Sequence, residues 1–343
     1  MANNKKHHYV PQFYLRYFSD DSKTVNTYNL KHEKIFVSKI RNICQENYFY
    51  VHVELEQIIG KIEGKQAEII RKLLTDFSFY SLDDKEKFYL YLFILMQYSR
   101  TKASAKLTDE AVTLFYDEVV KPILKSSLEM KEKDMKPDFF DKITLKMDNS
   151  HFLPMSYSMM SVELIADLYP IILINETDEF FITSDNFICL YNYVKFKTYG
   201  TLGLQSPGLQ IFCPLNEKIV LLLVDSEFYR LELDEEQNGT GIVHVDKSSD
   251  ITAINKLQIL NCDQSIICSP KTEEKYLQKI HSEAKPLFRD KKFRSRTVSG
   301  FKASDSSYHE ILHTSKIPSN YKLHLSFLRL NHDLNKKWKG IVK

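Results

Sequence analysis

Two adjacent histidines, His7 and His8, stand near the start of the chain, just before a proline and a run of aromatic residues. Imidazole changes its charge near neutral pH, so histidine is the commonest general base and a common metal ligand. Adjacent side chains of an extended segment point to opposite sides, so we expect only one of the two to face a given pocket. His8 is the predicted general base, with His7 beside it as a second catalytic candidate and Arg16 as a candidate substrate-binding side chain. The alternative is that both imidazoles are hydrogen-bonded into the fold.

A segment of four polar residues at 183–186, Thr-Ser-Asp-Asn, follows the apolar run 179–182. The ends of strands are places where sheets present functional side chains. Here Asp185 could orient a catalytic histidine or bind a divalent metal, for which His8 would be a further ligand, and Asn186 could hold a substrate. The alternative is capping of a local turn, because Ser, Asp and Asn bond readily to nearby backbone amides.

Gln97 and Arg100 are three residues apart on the most apolar predicted helix and therefore share one face of it. A guanidinium on a buried helix needs a partner, which can be a carboxylate such as Glu63 or Asp185, or a bound anion such as phosphate. The first case is a structural ion pair. In the second case, Arg100 and Gln97 would bind the substrate.

The elements that must position these residues can be inferred from hydrophobic periodicity. Five aromatic residues between Tyr9 and Phe18 predict that the N-terminal stretch packs into the body of the protein. Two short runs rich in β-branched and aromatic residues, 24–30 and 34–38, predict a β-hairpin. Helical spacing and start signals then predict three helices. These helices cover about 54–74, then a segment from an N-cap within 81–84 to about 102, and 109–132 with a kink at Pro122.

The second half of the chain is richer in short apolar runs. The runs 171–174 and 179–183 flank a polar turn and predict paired strands, and further strands are expected at 211–213, 219–224 and 266–268. Helices are expected at 161–168, 248–261 and 272–284, and residues 321–327 alternate as an edge strand would. The predicted class is α+β, with an N-terminal β-hairpin and long helices packed against a C-terminal mixed or antiparallel sheet.

The chain shows no internal repeat and no low-complexity linker. We therefore expect one domain over 1–284, with a helical part at about 52–135 and a β-rich part at about 160–270, and a basic extension over 285–343. The extension carries fourteen Lys and Arg against four Asp and Glu, whereas the whole chain has a net charge of only +2. Such a segment is a candidate nucleic-acid surface, and the alternative is a solvated positive face that balances an acidic body.

Missing motifs and the amino-acid composition argue against several classes of function. The chain lacks the sequence motifs of P-loop nucleotide triphosphatases, dinucleotide enzymes, α/β-hydrolases and zincins, which disfavours all four. Five cysteines without a C-x-x-C pair argue against a zinc knuckle or a disulfide framework and favour a reducing cytoplasm. No signal peptide and no apolar stretch of membrane-spanning length is present, so no membrane partner is expected. The oligomeric state is left open.

Several stretches together resemble the bacterial DUF4238 family, a group without an assigned function. The similarity extends to about Pro270 and is most specific at the start. It rests on residues 7–18 (HHYVPQFYLRYF), 63–64 (EG), 97–101 (QYSRT), 181–186 (FITSDN) and 213–215 (CPL). The resemblance implies no activity, but it implies that one recurring set of residues shares a pocket. That set is His7, His8, Arg100, Asp185 and Asn186.

The leading hypothesis is a hydrolase that acts on a phosphate-containing substrate, with a nuclease in a bacterial defence or toxin system as one candidate. His8 is the general base, Asp185 orients it or binds a metal, and Arg100 and Asn186 hold the anion. Any cofactor is unknown, and a divalent metal is the open candidate. The alternative is a non-catalytic binding or regulatory module in which the His, Arg and Asp residues are structural.

Overall fold

The computed structural model describes the chain at 6–47, 49, 53–129, 142–143, 150, 152–193, 203–232, 239–287, 293–302, 308–316 and 321–331. The helices of these residues are α1 Gln12–Leu15, α2 Val53–Asp76, α3 Asp84–Ser99, α4 Lys102–Phe115, α5 Lys121–Glu129, α6 Phe152–Met160, α7 Ser248–Asn261 and α8 Glu274–Ala284. The first strands are β1 Lys6–His8, β2 Thr24–Asn29, β3 Lys34–Lys39, β4 Gln45–Asn47, β5 Tyr169–Asn175, β6 Thr183–Ser184, β7 Cys189–Asn192 and β8 Leu209–Pro214. The remaining strands are β9 Ile219–Val224, β10 Tyr229–Leu231, β11 Ile242–Val245, β12 Ser265–Cys268, β13 Phe293–Lys302, β14 Tyr308–Lys316 and β15 Leu328–Leu330.

The central element is a five-stranded sheet with the order β11-β5-β9-β8-β7. All neighbours in it are antiparallel except β11 and β5, which run parallel. β8 and β9 are buried along their whole length, which explains their nearly unbroken apolar sequence. Long helices and a mixed sheet confirm the predicted α+β class.

The two faces of this sheet carry two separate hydrophobic cores. On one face Ile211 and Leu223 pack with α2, α3 and the N-terminal residues. On the other face Phe212 and Leu222 pack with α7 and with residues 321–330. Neighbouring residues of one strand therefore belong to different cores, as the period of two along a strand requires.

The N-terminal residues pack into the body, as their aromatic content predicted. Tyr14 is fully buried, and its hydroxyl lies 2.8 Å from the carbonyl oxygen of Pro214 and 2.6 Å from the hydroxyl of Thr183. The Tyr14 ring stacks on Phe187 with centroids 4.0 Å apart. The hydroxyl and the ring thus hold α1 against the chain around β6 and β8.

The helical part matches the sequence prediction in α2 and differs beyond it. Asp83 forms a capping box with Glu86, so α3 starts within the stretch 81–84 that was predicted to supply its N-cap. The predicted helix 109–132 begins earlier, at Lys102, with Thr101 as N-cap. Its predicted kink is a π-helical segment, Tyr116–Val120, just before Pro122. A widened turn suits this position, because proline lacks an N–H and its ring collides with the carbonyl four residues earlier.

The predicted pairing of 171–174 with 179–183 is wrong. β5 pairs with β9 and β11, whereas β6 joins a second sheet with the order β3-β2-β12-β6, which contains the predicted hairpin. The reason is local hydrogen bonding. The Asn175 side chain bonds to the backbone of Thr177 and Glu179, and the backbone N–H of Ile182 donates to the side chain of Asn255. Side chains therefore satisfy backbone groups that a hairpin ladder would have used.

Helix boundaries near the middle of the chain also differ from the prediction. The expected helix 161–168 is a single 3-10 turn, Val162–Ile165, and the preceding helix α6 was not predicted. The predicted strands at 211–213, 219–224 and 266–268 and the helices at 248–261 and 272–284 are confirmed as β8, β9, β12, α7 and α8.

Residues 321–331 return to the body of the protein rather than extending from it. Leu323, Leu325 and Phe327 belong to the core that α7 covers, and β15 pairs antiparallel with β10. The predicted edge strand at 321–327 is irregular chain that precedes β15, although its alternating residues are buried. Most of the basic side chains of 285–343 lie outside the residues whose side chains the structure describes, and the domain boundary at 284 stays a prediction.

One hydrogen-bonded pair fastens this returning segment. The backbone N–H and the hydroxyl of Ser326 donate to the two carboxylate oxygens of buried Asp250, at 3.0 and 2.5 Å. We expect Ser326→Ala to lower the free energy of unfolding by about 2 kcal/mol, because a hydrogen bond to a charged group is lost. Urea denaturation of the full chain measures this loss. Ser282→Ala, at an exposed serine of α8, is the matched control, and equal effects of the two substitutions would contradict the prediction.

No helix in the described part of the chain is long and apolar enough to cross a membrane. All five cysteines lie among the described residues, and each is free and buried. The cysteines therefore behave as small core residues.

Candidate active site

A cleft of about 420 Å³ lies between the N-terminal residues and α2. One wall is formed by β1 and the chain through α1, and the other wall is one face of α2. The lining residues are Lys6, His7, His8, Gln12, Phe13, Arg16, Glu56, Ile59, Gly60, Glu63, Gly64 and Ala67. The cleft therefore contains imidazole, carboxylate, amide and basic side chains within a small volume.

The α2 wall follows directly from helical spacing. Its residues Glu56, Gly60, Glu63, Gly64 and Ala67 recur three or four positions apart, so they share one face of the helix. Two of them are glycines in the interior of a helix, where glycine is unfavourable. A Cβ atom built on either glycine would meet nothing within 4 Å. Packing against the rest of the protein therefore does not require glycine at these positions, and their effect is to widen the cleft.

His8 is half-buried at the end of β1, with its Nδ1 atom 3.4 Å from the side-chain amide nitrogen of Gln12. That nitrogen can only donate, so Nδ1 is the acceptor in this contact and the proton of the neutral ring resides on Nε2. Nε2 is buried and has no hydrogen-bond partner of normal geometry among the residues that the structure describes. Nδ1 is therefore the nitrogen that could accept a proton from a molecule in the cleft.

The electrostatic surroundings keep His8 neutral. Burial is the largest influence on the pKa of His8 and lowers it, and the positive charge of Arg100 acts in the same direction. The Glu63 carboxylate and the backbone of Arg41 oppose this shift, but the net pKa lies below the usual value of 6.5. A neutral imidazole at physiological pH is the form that a general base requires.

His7 lines the same cleft, so the expectation that only one histidine faces a given pocket is wrong. β1 ends at His8 after only three residues, so the alternation of a longer strand is not imposed on this pair. His7 is almost fully buried, and its Nε2 lies 3.2 Å from a carboxylate oxygen of Glu56 on α2. This contact ties β1 to α2 across the cleft.

Arg100 lies behind the cleft and is fully buried. Its Nη2 atom is 2.7 Å from Glu63 Oε1, and its Nε atom donates to Gln97 Oε1 at 3.3 Å. Of the partners that the sequence left open, the structure selects the Glu63 carboxylate. Glu63 is 25% exposed and lines the cleft, so it is the link between Arg100 and the cleft surface.

The mouth of the cleft carries two exposed cations, Lys6 and Arg16. Arg16 follows Gln12 by four residues along the α1 turn, which places both side chains on the same side. Mobile cations at the rim of a cleft can bind and orient an anionic substrate. Arg16 is thus positioned for the substrate-binding role predicted for it.

Asp185 lies elsewhere. Its Oδ1 atom accepts from the backbone N–H of Asp263 at 2.9 Å, and its Oδ2 atom accepts from those of Gln264 and Ser265 at 2.8 and 3.1 Å. Burial is the largest influence on the pKa of Asp185 and raises it, while these three N–H groups act in the opposite direction. No hydrogen bond or ion pair joins Asp185 to His8 in the described part of the chain. Both carboxylate oxygens instead hold the loop between α7 and β12.

Asn186 is also engaged outside the cleft. Its Oδ1 atom accepts from the Thr101 hydroxyl at 3.1 Å, and its Nδ2 atom donates to the carbonyl of Asn261 at 2.9 Å. Asn186 lines a different cavity, of about 380 Å³, together with residues of α4. His7, His8 and Arg16 therefore line one cleft, to which Arg100 and Gln97 are linked through Glu63, whereas Asp185 and Asn186 are not among the residues that line it.

A metal site was predicted only through Asp185 and His8, and the structure does not place these two side chains together. Over the described ranges of the chain, no group of three or more His, Cys, Asp or Glu side chains is arranged to hold a metal ion. The use of a divalent metal stays a prediction.

The sequence interpretation did not select Lys6, Gln12, Glu56 or the two glycines of α2. A signal was present in the spacing of residues 56, 60, 63, 64 and 67, which places two acids and two glycines on one helix face. Amphipathic helices usually carry charged residues on the solvent side, so this spacing alone does not indicate a cleft.

A family model described as "Protein of unknown function (DUF4238)" matches residues 6–272. The match includes every residue of the cleft and of the Asp185 loop contacts. No curated protein and no solved structure is significantly similar to the chain.

Proposed function

The chain belongs to the DUF4238 family, to which no function is assigned, and we propose that it is a hydrolase of phosphate esters with its active site in the cleft between β1 and α2. The observation that carries this proposal is the position of His8. It is a neutral imidazole with an acceptor nitrogen on the side of Gln12, in a cleft whose rim holds Lys6 and Arg16.

The proposed reaction follows from these groups. A water molecule takes the place of the Gln12 amide at His8 Nδ1, and Nδ1 takes a proton from it as the water oxygen forms a bond to phosphorus. Lys6 and Arg16 bind the phosphoryl oxygens and stabilise the negative charge of the transition state. The bond between phosphorus and the leaving oxygen breaks, and the imidazolium returns its proton to that oxygen. Glu63, near the His8 ring, stabilises the imidazolium that forms in between.

The test is an assay of the full chain on bis-p-nitrophenyl phosphate and p-nitrophenyl phosphate, with and without EDTA. His8→Asn is expected to lower kcat/KM by about 100-fold or more, the usual contribution of a general base. His244→Asn is the matched control, because His244 is exposed at the edge strand β11 and pairs with Glu176. Hydrolysis that His8→Asn leaves unchanged would refute the proposal.

The pH profile of this hydrolysis is a second prediction. Burial lowers the pKa of His8 below its usual value of 6.5, so the imidazole is half protonated only in more acidic solution. We expect the acid limb of kcat/KM to be centred below pH 6.5. A pH series on the full chain measures this, and an acid limb centred above 6.5 would show that another group is titrating.

The helix glycines provide a third prediction with two readouts. Gly64→Ala is expected to raise the free energy of unfolding by up to about 1 kcal/mol, because alanine favours a helix interior and its methyl group meets no neighbour. The same methyl group enters the cleft, so we expect KM to rise. Lys61→Ala, at an exposed position of α2, is the control for the helix. Unchanged kinetics in Gly64→Ala would show that no substrate lies against this face.

We further propose that the phosphate ester is part of a nucleic acid and that the protein works in a reducing cytoplasm. The basic region 285–343 supports the first point, and five free buried cysteines support the second. Binding of single-stranded RNA and DNA should then weaken steeply as salt rises. An affinity that does not change with salt would contradict the nucleic-acid proposal.

A non-catalytic binding module is the second candidate. The observation that favours it is the complete engagement of Asp185 and Asn186 in loop and helix contacts, since these were two of the predicted site residues. In this case the cleft binds an anion without chemistry. Calorimetry that detects binding of a phosphodiester, together with no hydrolysis by wild-type protein, would favour this candidate.

A further inference from the structure

A larger cavity, of about 650 Å³, lies on the opposite face of the central sheet from the cleft. It is bounded by β8, β10 and the returning residues 321–331. Its volume is in the range of cavities that bind small molecules. None of its lining residues belongs to the cleft, so it is a separate feature of the fold.

Gln210 of β8 lines this cavity and is only 2% exposed. Its side chain hydrogen-bonds to the hydroxyl of Tyr229. That hydroxyl already donates to the carbonyl of Gly208 at 2.8 Å, so it accepts from the Gln210 amide nitrogen. This arrangement fixes the amide orientation and leaves Gln210 Oε1 as the atom that still needs a donor.

Gln210 Oε1 has no hydrogen-bond partner in the described part of the chain, although it is buried. Leaving a buried acceptor unpaired is unfavourable, and native proteins do so rarely. A ligand in the cavity that carries an N–H group would complete its hydrogen bonding. The chemistry of this atom therefore points to a donor on the ligand.

The charges around the cavity indicate the second property of the ligand. Three permanent cations line it, Arg230, Lys322 and Arg329, against the single carboxylate of Glu232. Glu232 lies 3.0 Å from Arg329 and 3.9 Å from Arg230, so it offsets only part of this charge. An excess of positive charge at a partly enclosed site favours an anion.

The remaining lining is mainly apolar, with Leu323, Leu325 and the ring of Tyr229, and it also contains His324. Such a surface accommodates a flat or apolar body between the polar groups. We propose that this cavity is a second binding site, for a mononucleotide whose base donates an N–H group to Gln210 Oε1 and whose phosphate lies among the basic side chains. The site does not depend on the hydrolase proposed above.

The test is isothermal titration calorimetry of the full chain with AMP, GMP, CMP and UMP, the matching nucleosides and inorganic phosphate. At least one mononucleotide should bind more tightly than its nucleoside and than phosphate. Gln210→Met keeps the size of the side chain and removes the acceptor, and it should weaken binding about tenfold or more. Gln278→Met, on α8, is the matched control and should leave the affinity unchanged.

Lys322→Gln should also weaken mononucleotide binding, whereas Lys247→Gln, an exposed lysine before α7, should not. Thermal denaturation of Gln210→Met separates a folding defect from a loss of the site. Three results would overturn the proposal. They are no binding by any mononucleotide, equal binding by wild type and Gln210→Met, and binding that Gly64→Leu in the cleft abolishes while Gln210→Met does not.

Discussion

Glu63→Ala is expected to lower the free energy of unfolding by about 3 to 5 kcal/mol, the usual cost of removing one partner from a buried ion pair. The substitution leaves the guanidinium of Arg100 fully buried without the carboxylate 2.7 Å away. Arg100→Met should lower the free energy of unfolding by less, because the Glu63 side chain is 25% exposed and its carboxylate can be hydrated. Urea denaturation of both variants measures the asymmetry.

The double variant Glu63→Ala/Arg100→Met completes the cycle. Removing both charges leaves no isolated buried ion, so the double variant should be more stable than Glu63→Ala alone. If Glu63→Ala lowers the free energy of unfolding by less than about 1 kcal/mol, the charge of Arg100 is stabilised by other groups than the Glu63 carboxylate. Because Glu63→Ala is expected to be less stable, a loss of its activity indicates a role in catalysis only if the variant is folded under the assay conditions.

Asp185→Ala is expected to lower the free energy of unfolding by about 3 to 5 kcal/mol as well. Three backbone N–H groups, those of Asp263, Gln264 and Ser265, would lose their acceptor, and each unpaired donor costs about 1 to 3 kcal/mol when buried. Chemical denaturation measures the effect. Asp167→Ala, an exposed aspartate, is the control and should change stability little.

Asp185→Asn distinguishes a structural carboxylate from a catalytic one. The amide retains the shape and one acceptor oxygen, so this variant should lose less stability than Asp185→Ala. If Asp185 acts only through the loop it holds, folded Asp185→Asn keeps its kcat on the phosphodiester substrate. A fall of about 100-fold or more in kcat with intact folding would restore a direct catalytic role.

Local sequence signals predicted the elements whose causes are local. The N-cap within 81–84 and the hairpin of 24–30 and 34–38 depend on neighbours within a few residues, and both are present. The pairing of β5 was mispredicted because three apolar runs of the chain could serve as its partner. Side chains such as Asn175 and Asn255 determine which runs pair with β5, and their hydrogen bonds depend on the tertiary fold.

The candidate site also contains one contact that could be predicted from the sequence and one that could not. Glu63 was named as a partner for Arg100 because a buried guanidinium demands a carboxylate, and this requirement is general. The role of Asp185 could not be read in the same way. Its partners are backbone N–H groups about 80 residues further along the chain, and every residue except proline has such a group. The residue types at these positions therefore do not indicate that contact.

The return of residues 321–331 to the central sheet affects how the protein folds during synthesis. The contacts from Tyr191 to Tyr321 and from Asp250 to Ser326 span 130 and 76 residues. Residues 323–328, which complete the second core, are synthesised after all the other buried residues of that core. Until then the apolar face that includes Phe212 and Leu222 lacks part of its cover, and surfaces of this kind are where nascent chains aggregate and where chaperones bind. We therefore expect the closure of this core to be a late folding step, because it depends on contacts between residues far apart in the sequence.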